Sequence, residues 1–298
     1  MKKVFILFLG VFLFSFDILP IQKVPFDKNK AEIGKKLFFD KRLSRHKDIS
    51  CNSCHKIKNY GVDNMPLSVG SGGVLDTPMN TPTVYNTVYN IAWFWNGRAE
   101  TLSQQVIDAF LNPKEHNMSI KEIERIIKKD KWYRNRFLRV YKKEPDIYDI
   151  ADAISEYEKS LILPSRFDKY LKGDESAITS QERRGYLKFK IFGCITCHNG
   201  INIGGNSFQK IGIFMSDIKI KRGLDRYCVT KLESDKYVYK VPSLRNVAKT
   251  YPYFHDGSVK TLEDAILNMG RLNLGIELGQ KDVLDIKAFL ESLSGEIK

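Results

Sequence analysis

Two pentapeptides of one form constrain this chain more than anything else in it: Cys51-Asn52-Ser53-Cys54-His55 and Cys194-Ile195-Thr196-Cys197-His198. C-x-x-C-H is the spacing of a c-type haem attachment site. The two thiols add to the two vinyl groups of one haem, and the histidine that follows is placed to ligate its iron. A single C-x-x-C also suits a redox dithiol or half of a zinc site. Two copies, each followed by histidine, use four of only five cysteines and point to two covalently bound haems. The alternative, a zinc protein, needs four ligands close together, and the copies lie too far apart in sequence to form one compact module. Cys228, the fifth cysteine, has no evident mate and is expected to be a buried thiol.

The chain of 298 residues has room for two domains, with one motif in each half. Its apolar content, 43%, is enough for real cores. Lys2 and Lys3 precede an apolar run, Val4 to Phe16, broken only by Gly10 and Ser15 and ended by Asp17. The run is too short for a comfortable transmembrane helix and reads as an export signal. No A-x-A-like cleavage site is clear, so a signal peptide and an uncleaved anchor, within residues 1–22, both stay open. Export to the periplasm agrees with the haems, because c-type attachment takes place outside the bacterial cytoplasm. The formal charge of +13 suits steering of an acidic partner or contact with anionic lipid. The basic residues are spread along the chain, however, and no nucleic-acid partner is expected of an exported haem protein.

Apolar spacing predicts helices over Asn29–Phe39, Leu102–Phe110, Ile147–Leu161 and Lys281–Leu293. Capping pairs open three more. Ser119 with Glu122 starts a helix to Tyr141, Thr179 with Glu182 one that ends near Gly193, and Thr261 with Asp264 one that ends at Met269-Gly270. Gly61 to Pro82 is long and rich in Gly and Pro, the composition of a functional loop, and beside a haem it reads as pocket wall. Strand patterns are scarce. The expected fold is mostly α: two c-type cytochrome-like haem domains with long loops, residues 23–164 and 165–298, divided at Pro164. Both motifs follow a helix, so the halves read as a diverged duplication.

Six further strings carry a resemblance: Leu43-Ser44, Asn80-Thr81-Pro82-Thr83-Val84, Phe94-Trp95-Asn96-Gly97-Arg98-Ala99, Gly204-Gly205-Asn206-Ser207-Phe208, Val241-Pro242-Ser243-Leu244-Arg245-Asn246-Val247 and Tyr253-Phe254-His255-Asp256-Gly257-Ser258. With them the chain resembles the bacterial di-haem cytochrome c peroxidases over nearly all its length after the leader. The resemblance implies reduction of hydrogen peroxide to water with two electrons from a small soluble cytochrome or cupredoxin. It implies a C-terminal haem that receives electrons, with His198 and Met269 on its iron. Methionine raises a haem potential relative to histidine. It implies an N-terminal peroxide site with His55 as proximal ligand, Gln105 and Glu115 as the distal pair, and Trp95 as an electron relay between haems. Cleavage of the O–O bond needs a proton taken from one oxygen and delivered to the other, which suits Glu115. It implies a calcium ion held by Asn80 and the backbone carbonyls of Thr250 and Pro252, an oxygen-only set fit for that ion. It also implies a homodimer.

One stretch departs from the family pattern. Many members carry a histidine that caps the oxidised peroxidatic iron, in a loop that here reads Met65-Pro66-Leu67-Ser68-Val69-Gly70-Ser71-Gly72-Gly73. Of five histidines, only His46 and His116 lie outside the motifs and the C-terminal signature. The expectation is a pocket open in every redox state; the competing one is a cap supplied by His116 or His46. Two other classes stand as rivals. A protein-modifying di-haem oxidase carries Tyr in place of the C-terminal Met, so Met269 argues against it. A plain electron carrier has no use for a distal acid–base pair, so Glu115 and Gln105 argue against that.

Overall fold

The structure, a computed structural model, describes residues 17–75, 79–215 and 224–297. The apolar core of the leader, residues 4–16, lies outside them. Where the sequence has helical spacing the chain is helical. Helix α1 (Lys28–Phe38) starts at Asp27, whose carboxylate accepts from the Asn29 and Lys30 N–H groups, and buries Ala31, Ile33, Leu37 and Phe38. The first motif is itself a helical turn, α2 (Cys51–Cys54). Helix α3 (Leu102–Leu111) is capped by Thr101.

The expected helix from Ser119 to Tyr141 is two: α4 (Ile120–Lys129) and α5 (Lys131–Tyr141). The break is Asp130. Its extended backbone (φ −79°, ψ 113°) ends α4, and its carboxylate caps α5 by accepting from Trp132 and Tyr133 N–H. Then follow α6 (Ile147–Lys159), the unanticipated α7 (Arg166–Leu171) and α8 (Ser180–Ile191). Strand β1 (Phe208–Lys210) pairs antiparallel with β2 (Val238–Lys240), Gln209 opposite Tyr239. Between them lies α9 (Tyr227–Thr230), where Cys228 is exposed rather than buried. This turn packs at the surface, and among the described residues the thiol is left uncovered. Helices α10 (Leu262–Met269) and α11 (Gln280–Ser292) complete the chain.

Apolar side chains gather into two cores. Helices α1 and α3–α6 enclose one, and α7, α8, α10 and α11 the other. The same construction recurs in both. Helices α1 and α6 cross at Gly34, and α8 and α11 cross at Gly185. A Cβ at either glycine would lie 1.8 Å from a carbonyl oxygen of the facing helix, Ala153 or Asp285. Asn86 and Asn246 both take positive φ. Each accepts on its amide oxygen from the chain beyond the last helix, Leu163 N–H or Gly295 N–H, at 2.9 Å. The bridge Trp93–Ala99 before α3 repeats as Tyr253–Val259 before α10. Thr101 and Thr261 cap those helices alike.

The halves meet across a local two-fold. Asn80 N–H donates to the His255 carbonyl and Lys240 N–H to the Trp95 carbonyl, both at 2.8 Å. At the repeat's spacing Asn80 corresponds to Lys240 and Trp95 to His255, so this is one bond made twice. The Trp95 and His255 rings meet edge to face at 6.2 Å between them.

The chain ends cross this division. Ile18 bridges Gly200, Ile21 N–H donates to Asp168 Oδ1 at 2.7 Å, and Arg245 Nη2 donates to the Leu19 carbonyl at 3.1 Å. Ile297 packs on the first core. Residues 17–22, assigned above to the leader segment 1–22, therefore belong to the folded body, held by burial of Ile18 and Ile21.

Candidate active site

A cavity of about 570 Å³ runs between the two cores. Its wall includes Cys51, Cys54 and His55 of the first motif and Cys194, Cys197 and His198 of the second. It also includes Asn80, Trp95, Gln105, Glu115, Thr250, Pro252 and Met269. One space thus brings together the expected haem, distal-pair, relay and calcium residues.

Local bonds shape each motif into a turn that presents both thiols to one side. In the first, His55 N–H donates to the Cys51 carbonyl at 2.9 Å, and Ser50 N–H to Ser53 Oγ at 2.9 Å. In the second, Gly193 turns the chain at φ 87° and His198 N–H donates to the Cys194 carbonyl at 3.0 Å. All four thiols are free. Burial pushes Cys54 and Cys194 up to about 11, so both stay protonated at neutral pH.

Both motif histidines are half-buried in the wall. Nδ1 of each is enclosed without a hydrogen-bond partner. The backbone carbonyls of Gly61 and Pro82 act on the His55 ring, and those of Ile203 and Pro242 on the His198 ring. The packing around His198 is tight, since a Cβ on Gly204 would meet the Pro242 oxygen at 2.2 Å and Nδ1 at 3.4 Å. Burial lowers the pKa of both rings, that of His198 to about 4. A neutral imidazole is what an iron ligand requires. Paired thiols, a neutral histidine behind them and an apolar cavity in front fit a covalently held haem at each motif.

Met269 ends α10, where the helix opens into a π-turn, Gly270–Leu274. Such turns are frequent at functional positions. Counting from the equivalent caps Thr101 and Thr261, the residue that corresponds to Met269 in the first half is Ala109. It too lines the cavity. The sequence reading missed this pairing, because it appears only when α3 and α10 are aligned.

Gln105 lies one turn before Ala109 on the same face of α3. Glu115 is carried by the turn after it. Its carboxyl accepts from Asn112 Nδ2 at 2.7 Å. Burial raises its pKa, while the Asn112 bond and the Arg98 charge pull the other way.

The loop that lacks a histidine is fastened elsewhere. Ser71 N–H donates to the Glu115 carbonyl at 2.8 Å, Ser71 Oγ to Asp48 Oδ1 at 2.8 Å and Gly72 N–H to Asp48 Oδ2 at 2.7 Å. Burial alone would raise Asp48, but these donors bring it down to about 2. His46 sits against Ser71 and is not part of the cavity wall. His116 is part of it, with Nδ1 against the Leu43 carbonyl at 2.7 Å and its ring edge-on to Phe110.

Trp95 Nε1–H donates to the Asn80 carbonyl at 2.8 Å. Beyond Trp95, His255 stacks on Tyr239 at 4.1 Å. Among the described residues no group of three or more His, Cys, Asp or Glu side chains is placed to hold a metal ion. A cation near Asn80, Thr250 and Pro252 would depend on amide and backbone oxygens. Charged wall residues that were missed include Glu158, Lys210 and Lys240. Glu158 had a signal: it stands one turn after Ile154, on the apolar stripe of α6, where a carboxylate is out of place.

Comparison with known proteins gives a consistent result. A family model described as di-haem cytochrome c peroxidase matches residues 28–176. The cytochrome c551 peroxidase of Nitrosomonas europaea is 43% identical over 290 residues, 96% of this chain and 86% of that one. The cytochrome c peroxidase of Escherichia coli is 47% identical over 92% of this chain, which spans 60% of that longer protein. Among solved structures, a MauG-like protein associated with microbial copper homeostasis is similar with a TM-score of 0.81 at 27% identity, over 96% of each chain.

Proposed function

The chain belongs to the di-haem cytochrome c peroxidase family and is an oxidoreductase that reduces peroxide, and from that premise we propose how its residues divide the work. Residues 23–164 form the peroxide-reducing unit and 165–298 the unit that receives electrons. Cys51 and Cys54 hold one haem and Cys194 and Cys197 the other, with His55 and His198 as proximal ligands and Met269 as the second ligand of the C-terminal iron. A haem held by Cys51, Cys54 and His55 would supply the redox chemistry for cleavage of the O–O bond. The overall change is H2O2 + 2 e⁻ + 2 H⁺ → 2 H2O. Glu115 takes the proton from one peroxide oxygen and returns it to the departing one. Asn112 occupies Oε1, which leaves Oε2 for that proton. Gln105 donates a hydrogen bond that orients the peroxide. Trp95 passes electrons between the units.

The observation that carries this reading is the contrast between α3 and α10. Where the second half offers Met269, the first has Ala109, with Gln105 and Glu115 beside it. Alanine cannot ligate iron, and the loop of Ser71 is bound to Asp48. This supports a first site open to peroxide in every redox state. Asn80, Thr250 and Pro252 hold calcium between the units. The donor is a small soluble cytochrome or cupredoxin, the protein works in the periplasm as a homodimer, and no helix among the described residues is long and apolar enough to cross a membrane.

The test is steady-state peroxide reduction with a reduced small cytochrome. Glu115→Ala, with haem content intact, is expected to lose about 10²–10⁴-fold in turnover, the usual worth of a positioned acid–base group. Retained turnover removes Glu115 from its role. Fully oxidised and one-electron-reduced enzyme should be equally active from the first turnover. A lag in the oxidised sample would mean a capped iron, with His116 as the residue to change next.

A further inference from the structure

Glu158 in the first half and Lys240 in the second are buried, face the cavity, and stand where the other half has a neutral residue. Helices α6 and α11 are counterparts, since Asn86 and Asn246 bond alike to the residues that follow them. Tyr157-Glu158-Lys159-Ser160-Leu161 therefore aligns with Phe289-Leu290-Glu291-Ser292-Leu293. Glu158 stands where the second half has Leu290, and both line the cavity, 5% and 4% exposed. The exchange runs the other way at the two-fold. Lys240, 7% exposed, stands where the first half has Asn80, 8% exposed. It precedes Val241-Pro242, whose carbonyl lies against His198.

Asn80 is bonded to the Met65 and Pro66 carbonyls. The Glu158 carboxyl and the Lys240 ammonium have no hydrogen-bond or ion-pair partner among the described residues, and burial is what bears on each. It pushes Glu158 up to about 8 and Lys240 down to about 8. An unpartnered buried charge is costly, so each needs compensation from what the cavity receives. That is a haem at each motif, whose iron changes by one charge when it is reduced.

We propose that this exchange sets the difference in midpoint potential between the two haem sites: the Glu158 carboxyl holds the first site low, and the Lys240 ammonium holds the second high. A negative neighbour stabilises the oxidised iron and a positive one the reduced iron. When the donor delivers one electron to the first site, Glu158 takes one proton from solvent. One O–H bond of a solvent hydronium ion breaks, one forms on the Glu158 carboxyl, the water left behind returns to solvent, and the charge of the pocket is restored. Other titratable groups around Glu158 are Cys51 from α2, consumed on haem attachment, Tyr157 beside it, Tyr85 opposite Tyr157, and Glu115 from the turn after α3. The proposal rests on the reading of both motifs as haem sites.

The experiment is spectroelectrochemical titration of the full-length, haem-loaded chain from mildly acidic to alkaline pH, with haem content measured beside it. In the native chain the first-site midpoint should fall as pH rises. Glu158→Leu, which installs the second half's residue, should raise that midpoint, most at alkaline pH, and flatten its pH dependence. Glu158→Gln serves if the leucine variant does not fold. Lys240→Asn should lower the second midpoint at neutral pH, and Leu290→Glu should give the second site the pH dependence. Unchanged midpoints in the Glu158 and Lys240 variants overturn the proposal, and movement at only one site overturns the exchange. A native chain without two haems overturns instead the reading beneath it.

Discussion

Asn112 fixes the turn on which the proposed peroxide chemistry depends. Its Oδ1 accepts from Lys114 N–H at 3.0 Å, and its carbonyl accepts from Glu115 N–H and Asn117 N–H. Its Nδ2 then donates to the Glu115 carboxyl. That last bond favours the ionised form, against the burial that raises Glu115. In Asn112→Ala the carboxyl loses this support and its pKa rises further. Glu115 has to be ionised to accept a proton from peroxide, so the acid limb of the turnover profile should move to higher pH. Activity at alkaline pH should suffer least. A pH profile of kcat/KM checks this, and an unmoved acid limb would show that the bond does not reach the chemistry. At this scale the sequence was informative where residue identity is the chemistry: two Cys pairs, two histidines, one carboxylate. It was silent on Asn112, because a polar residue before proline looks like any loop residue until its bonds are seen.

At the scale of elements the repeated crossing of two helices sets the frame. Gly34 and Gly185 allow backbones to touch where any side chain would intrude. Gly34→Ala places a methyl group 1.8 Å from the Ala153 carbonyl, so α1 and α6 must separate. The expected loss is about 1–3 kcal/mol, the usual cost of overpacking, read as a lower denaturant midpoint in the holoprotein; an unchanged midpoint would mean that the crossing yields freely. The long helices were legible because their apolar stripes and caps agree, as Thr179 with Glu182 and Ser119 with Glu122 show. The break at Asp130 was not, because a lone aspartate within a charged run reads equally well as solvated surface. Helix α7 and the three-residue strands were too short for periodicity to mark.

At the scale of the whole molecule, a buried ion pair fastens the N-terminal segment to the second half. Arg245 and Asp168 are 1% and 2% exposed and meet at 2.9 Å. Arg245 also donates to the Ile201 and Leu19 carbonyls, and Asp168 accepts from Ile21 and Ser165. Burial alone would raise Asp168, but Arg245 and the backbone donors bring it below the usual carboxylate range. Its stabilisation is complete above the unfolded value, about 3.9, and is lost as pH falls through the lower folded value. Asp168→Asn, which leaves a buried guanidinium unpaired, should cost about 3–5 kcal/mol at neutral pH. The gap to the native chain should narrow only in strong acid, as thermal unfolding across pH would show; a constant gap would mean that the charge is not what matters. The duplication was readable as an outline from two motifs after two helices. Its consequences at Ala109, Glu158 and Lys240 needed the aligned helices. The crossed ends bear on the order of assembly. A chain made from its N-terminus has no partners for Ile18, Leu19 and Ile21 until Asp168, Gly200 and Arg245 exist. The first half can close on its own core meanwhile, so the earliest of these residues to be made are the last to be fastened, and completion of the second half is what seals the fold.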